Sequence, residues 1–191
     1  MDSTFAKEND EEIAQAIQRG DEALFGVLMS RYKEKFFRYG RKFLPDLNTI
    51  DETVSDIFIK TYENIQSFDP SQKFSPWIYR IAHNEFVNAL RKKSRLPYSL
   101  VNFDLLLTHP AYEDPAVLER ERADMRVLID KGLEKVPPVY REVIILHYLE
   151  DLSYKEIADV LHIPVGTVGV RLKRGKEILK QIHINKTQYE Q

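Results

Sequence analysis

Apolar residues recur every three or four positions along most of the chain, and nowhere do they alternate with polar ones for long enough to make a strand. The pattern predicts an all-α protein. From Glu11 to about Gln18, Ile13, Ala14 and Ile17 share one helical face, and Gly20 follows as a terminator. After Asp21, Leu24, Phe25, Leu28 and Met29 lead into Tyr32, Phe36, Phe37 and Tyr39, a long amphipathic segment studded with Arg and Lys and closed by Pro45. Thr49 with Glu52 reads as a capping box for a third helix, with Val54, Ile57, Phe58 and Tyr62 as its buried stripe and Asp51, Glu52 and Asp56 outside. The run SFDPSQKFSPW, Ser67 to Trp77, holds two prolines among turn formers and reads as a loop. From Trp77, Ile78, Ile81, Ala82, Phe86, Val87 and Leu90 recover helical spacing, with Tyr79, Arg80, His83, Asn84 and Asn88 on other faces. That helix runs into Arg91, Lys92, Lys93 and Arg95.

Leu96 to about Asp114 keeps no period, carries Pro97 and Pro110, and is followed by Pro115, so residues 96–117 are expected to be a flexible linker. It would separate two small helical domains, 8–95 and 118–183. In the second, Leu118 to Leu133 resumes helical spacing, and Pro137 and Pro138 open a helix through Val143, Ile144, Leu146 and Tyr148. Asn185 to Gln191 are expected to fray.

Ser153 to Leu179 reads as a helix-turn-helix. Ser153 and Glu156 form a capping box, Ile157, Val160 and Leu161 give the buried face, and Pro164 sits at or beside the opening of the next helix. On that second helix Val168 and Leu172 face the first, which turns Gly169, Val170, Lys173 and Arg174 outward with Arg171 and Lys176 on the flanks. A cationic helix of this kind suits the major groove. The alternative is a basic face that is simply solvated. The helix from Trp77 likewise has the aromatic, amide and basic residues of a single-strand platform, although Trp and Tyr at helical spacing are commonly core.

The formal net charge of the 191 residues is −2, yet the charge is segregated. Cations crowd Arg91 to Arg95 and Arg171 to Lys180, and carboxylates gather at Asp10 to Glu12 and Glu113 to Asp124, so the neutral total does not argue against nucleic acid. There is no cysteine, which removes disulfides and thiolate metal sites. The start MDSTFAKENDEE has no apolar core and no apolar run is long enough to span a bilayer, so a cytoplasmic protein without membrane insertion is expected. Five scattered histidines make no ligand pair, there is no glycine-rich phosphate loop and no serine elbow. No enzyme, cofactor or metal is expected, and His83, His147 and His162 read as satisfied core or surface histidines.

Two blocks resemble a known family. TIDETVSDIFIKTYENIQSFDPSQKFSPWIYRIAHNEFVNALRKK is similar to the second conserved region of the extracytoplasmic-function class of RNA polymerase sigma factors, and LEKVPPVYREVIILHYLEDLSYKEIADVLHIPVGTVGVRLKRGKEIL to their fourth. The resemblance implies a sigma factor that binds core RNA polymerase and directs promoter-specific initiation, with promoter DNA and an anti-sigma factor as further partners. It assigns polymerase binding to Asp51, Glu52, Asp56 and Lys60. It assigns −10 contacts to Phe68, Lys73, Trp77, Arg80, Asn84, Asn88 and Arg91, and −35 contacts to Thr167, Gly169, Val170, Arg171, Lys173, Arg174 and Lys176. Ser55 stands where glutamine is usual, Gly169 and Val170 where a basic residue and a serine are common, and Gly175 where alanine is. A stand-alone helix-turn-helix regulator is the alternative, but it needs neither the acidic helix nor the loop after it.

Overall fold

The computed structural model describes residues 9–41, 43–93, 125, 128–129 and 132–189. The chain divides into two compact units, Met1–Pro97 and Tyr98–Gln191. The expected linker, 96–117, lies outside the described residues, as does most of the expected helix from Leu118.

In the first unit, α1 (Asp10–Gln18) opens on a capping box that includes Asn9: its side chain accepts the Glu12 N–H at 2.8 Å, and Glu12 accepts the Asn9 N–H at 3.2 Å. Gly20, at φ +108°, then turns the chain where an L side chain would be strained. A 3₁₀ turn, Glu22–Leu24, leads into α2 (Phe25–Gly40). The third helix, α3 (Leu47–Asn64), begins earlier than Thr49: Asp46 is its cap and accepts both the N–H and the hydroxyl of Thr49, which is the third residue of the helix and not its start. After a 3₁₀ turn, Ile65–Ser67, α4 spans Phe74–Lys93. The expected loop is therefore shorter than Ser67–Trp77, because Pro76 lies in the first turn of a helix, where its missing N–H has no intrahelical acceptor to lose.

Aromatic rings fill the centre of this unit's core. Tyr32, Phe36, Tyr39, Phe74, Tyr79 and Phe86 are all fully enclosed. Tyr39 and Tyr79 meet edge to face at 5.5 Å, and Phe43 stacks on Phe86 at 5.5 Å. Such pairs add about 0.5–1.5 kcal/mol each beyond area burial. Tyr79 and His83, on faces other than the stripe read from sequence, also belong to this core; the His83 Nδ1 lies 3.1 Å from the Tyr39 hydroxyl, which satisfies two buried polar groups at once. The buried stripe of α3 is Ile50, Thr53, Val54, Ile57, Phe58 and Thr61, while Tyr62, expected inside, is 40% exposed. The two threonine hydroxyls donate back to the carbonyls of Thr49 and Ile57, so their burial leaves no donor unpaired.

In the second unit, α5 (Pro138–Ile144) widens into a π-helical turn at Ile145–Leu149. Every residue from Glu142 to Tyr148 is buried, a run that one face of a regular helix cannot hide. This is the central element of the unit, and the expected single regular helix through Tyr148 is corrected accordingly. His147 is buried with its Nδ1 2.9 Å from the Leu152 carbonyl. α6 (Tyr154–Leu161) and α7 (Val165–Tyr189) pack on it and on each other. α7 continues through the segment expected to fray, as far as Tyr189.

Candidate polymerase and promoter interfaces

The exposed face of α3 splits into two adjoining lines. Asp51, Ser55, Ile59 and Tyr62 border a groove of about 500 Å³ against α2, where Phe25 and Met29 form the opposite wall. Ile59 is 57% exposed and Met29 40%, so the expected acidic surface is also an apolar one, a feature the sequence reading missed. Its signal was available: Met29 and Ile59 fall outside their helices' buried stripes yet are apolar. At one end of the groove, Tyr62 packs edge-on against Phe25 at 5.1 Å. A hydrogen bond to Glu22, then desolvation and the same carboxylate's charge, hold the Tyr62 phenol above its ordinary pKa. The second line holds Glu52, Asp56 and Lys60, all exposed. Lys60 also pairs with Glu85 of α4 at 2.7 Å, which ties two helices together while leaving its side chain 47% exposed beside Glu52 and Asp56.

Between the 3₁₀ turn and α4 the chain makes a short exposed turn. The Asp69 carboxylate accepts the Ser71 N–H at 2.9 Å, and the Gln72 N–H reaches the Asp69 carbonyl at 2.9 Å. The Ser71 backbone N–H first, and its hydroxyl second, hold Asp69 below the ordinary aspartate pKa. Lys73, Arg80, Asn84, Asn88 and Arg91 are all exposed, and their spacing places them in one stripe along α4 starting at this turn. Trp77 lies in the same stripe, half-buried, 5.3 Å from Phe68 and 5.4 Å from Phe74. Phe68 differs from expectation. It is only 3% exposed, a buried support under Trp77 and not a ring on which a base could stack.

The helix-turn-helix forms as its sequence predicts. The Ser153 N–H donates to Glu156 at 2.7 Å and the Ser153 hydroxyl accepts the Glu156 N–H at 3.3 Å. α6 ends on His162 in the left-handed region, φ 53°, and the Ile163 N–H returns to the Ala158 carbonyl at 3.1 Å. The Pro164 carbonyl accepts from Thr167 at 2.9 Å and so opens α7. Val168 and Leu172 are buried as predicted, whereas Lys173 is exposed and Thr167, Gly169, Val170, Arg174 and Lys176 are partly so. Arg171 is the correction: it is 6% exposed, on the buried side with Val168, Gly175 and Leu179. Positions three, seven and eleven after Val168 share its helical face, so the stripe it belongs to reaches further round α7 than Val168 and Leu172 alone suggest.

A basic and amide stripe beside a short loop in one unit, and a basic helix-turn-helix in the other, are features of the class of DNA-binding proteins. Comparison with known proteins gives the family. Residues 28–96 match the model of Sigma-70 region 2, and residues 126–179 that of Sigma-70, region 4. The chain is 33% identical to the ECF RNA polymerase sigma factor SigW of Bacillus subtilis over 174 residues, covering 86% of this chain and 91% of that one. It is 31% identical to the ECF RNA polymerase sigma-E factor of Haemophilus influenzae, covering 90% and 93%. The fold resembles CnrH in its complex with the cytosolic domain of CnrY, at TM-score 0.63 and 24% identity over 93% of this chain and 99% of that one. It also resembles the sigma factor RpoE from Bartonella quintana, solved with the anti-sigma factor NepR, at TM-score 0.58 and 21% identity over 82% and 94%. The chain belongs to the ECF class of the sigma-70 family. It is a transcription initiation factor that directs RNA polymerase to promoters.

Proposed function

We propose that the two units divide promoter recognition. Residues 8–95, as region 2, bind the polymerase clamp through Asp51, Glu52, Asp56 and Lys60 and open the −10 element. Residues 118–183, as region 4, bind the −35 element as duplex, and 96–117 link the two. The observation that carries this reading is the stripe Lys73, Trp77, Arg80, Asn84, Asn88 and Arg91, which starts at the Asp69 turn and offers cations, amides and one ring along a single face. A single strand needs that combination: cations follow phosphates, the ring stacks on a base, and an amide reads an extruded base edge. Extrusion costs a few kcal/mol, which stacking at about 1–3 kcal/mol per base offsets. Phe68 serves this surface indirectly, beneath Trp77.

On α7, Lys173 and Arg174 read base edges or the adjacent phosphates and Lys176 anchors the backbone, with Thr167, Gly169 and Val170 against the groove. Arg171 supports the helix from its buried side. The protein has no enzymatic activity of its own and works in the cytoplasm, where its polymerase is; no described helix is long and apolar enough to cross a membrane. A protein antagonist is the third partner. It would cover the α2–α3 groove, whose exposed Met29, Ile59 and Tyr62 offer apolar anchors beside the acidic line. Mixing purified protein with core polymerase and selecting promoters from a genomic library tests the reading. Initiation at two-element promoters is expected; initiation at none overturns it.

A further inference from the structure

The turn that opens the −10 surface is held by a helix far from it in sequence. At its upstream end, the Gln18 side-chain amide donates to the carbonyls of Ile65 and Phe68, both at 2.7 Å, and Gln66 donates back to the Gln18 carbonyl at 3.3 Å. At its downstream end, Glu11 Oε1 accepts the backbone N–H of Phe74 at 2.7 Å. That N–H belongs to the first turn of α4, whose donors have no intrahelical acceptor. The partners are 47, 50 and 63 residues apart, so none of these bonds is a local cap. Glu11 and Gln18 lie seven positions apart on α1, two turns on one face, or about 10.5 Å along the axis. One rigid helix therefore fixes both ends of the segment Asp69 to Lys73, and the buried rings of Phe68 and Phe74, 5.2 Å apart, fill the space beneath.

We infer that Glu11 and Gln18 are positioning residues for −10 recognition: α1 sets the separation of the two ends of the turn, and with it the shape of the surface that meets an extruded base. The inference rests on the reading of the turn and α4 as the −10 surface. Glu11 and Gln18 act there through backbone atoms and not by touching DNA. The two roles differ in chemistry. Gln18 must donate, so Gln18→Glu keeps the shape but sets a carboxylate against two carbonyls. Glu11 must accept, so Glu11→Gln keeps an oxygen for Phe74, and Glu11→Ala removes it.

The test uses full-length protein with core polymerase on a promoter selected by the wild-type holoenzyme from a randomised library, together with versions in which each −10 base is changed in turn. Gln18→Glu and Glu11→Ala are expected to bind core polymerase and −35 duplex as wild type does, while losing about tenfold in discrimination between the selected and changed −10 bases. Glu11→Gln should stay within about twofold of wild type, since its acceptor is retained. Undiminished discrimination in both Gln18→Glu and Glu11→Ala overturns the inference. So does equal loss in Glu11→Gln and Glu11→Ala, or loss of polymerase binding and helical content together with discrimination. If the wild-type holoenzyme shows no base preference at −10, the reading of the surface itself falls and this inference with it.

Discussion

Gly175 decides how closely α7 approaches α5. A Cβ added there would lie 2.7 Å from Ile144 Cδ1, 3.2 Å from its Cγ1 and 3.3 Å from Tyr140 Cβ, against about 3.5–4.0 Å for carbon atoms in favourable contact. Two effects of Gly175→Ala therefore oppose each other. Alanine favours a helix interior over glycine by about 1 kcal/mol, and overpacking a filled core costs about 1–3 kcal/mol. Ile144 Cδ1 is the far end of its side chain, but Ile144 is fully buried within the run Glu142–Tyr148 and has little space to turn into. The clash should win, with a net destabilisation of the second unit of about 1 kcal/mol. Ile144→Val removes the clashing Cδ1. Alone it should cost about 0.5–1.5 kcal/mol, but in the Gly175→Ala background the new methyl fills the vacated space, so the pair should couple favourably by at least about 1 kcal/mol. Trp77, the one tryptophan, reports on the other unit. Native-state hydrogen exchange of the amides of 139–149 in the full chain is therefore the suitable assay. Additivity of the two changes within about 0.5 kcal/mol would show that the close approach does not govern stability.

Reversing the acidic line with Glu52→Arg and Asp56→Arg should abolish holoenzyme formation and leave the fold intact, because both side chains are exposed; undiminished capture by core polymerase would remove the clamp assignment. Lys176→Ala should weaken all duplex sequences alike and lower the salt slope by about one, as expected of a phosphate contact; a sequence-dependent loss at constant slope contradicts that role. Asp69 has a depressed pKa in the folded chain, so its contribution to the turn is fully present above the ordinary aspartate range and is lost only as pH falls below it. A carboxyl-carbon NMR titration should show this, and a midpoint at or above that range would contradict it.

What could be read from sequence was local. Ser153 with Glu156, and Pro164 eleven residues on, fix the helix-turn-helix by short-range hydrogen bonding, and the structure reproduces them. The same kind of signal misled at Thr49, because Thr49 and Glu52 satisfy the capping-box pattern while Asp46, three residues earlier, supplies the carboxylate that actually caps α3. Pro76, among turn formers, fits a loop by sequence, although proline is equally at home in a helix's first turn. Features that depend on distant pairing left no trace in any window. The Lys60–Glu85 pair bridges 25 positions, the Gln18 and Glu11 bonds bridge more, and the burial of Phe68 follows from rings contributed by α4. The π turn at Ile145–Leu149 is intermediate: seven consecutive buried positions from Glu142 exceed what one helix face holds, but only packing reveals how the chain accommodates them.

The division of labour between the units is tested most directly by comparing Asn84→Ala with Arg174→Ala in two readouts, duplex −35 binding and permanganate reactivity of the melted −10 strand in the holoenzyme complex. Asn84→Ala should leave −35 binding unchanged and reduce −10 reactivity, because an amide on α4 reads an extruded base. Arg174→Ala should weaken −35 binding by about 1–3 kcal/mol and relax preference at one or two −35 positions. Its −10 reactivity should return once DNA is saturating. Equal loss of both signals in both variants would contradict the account.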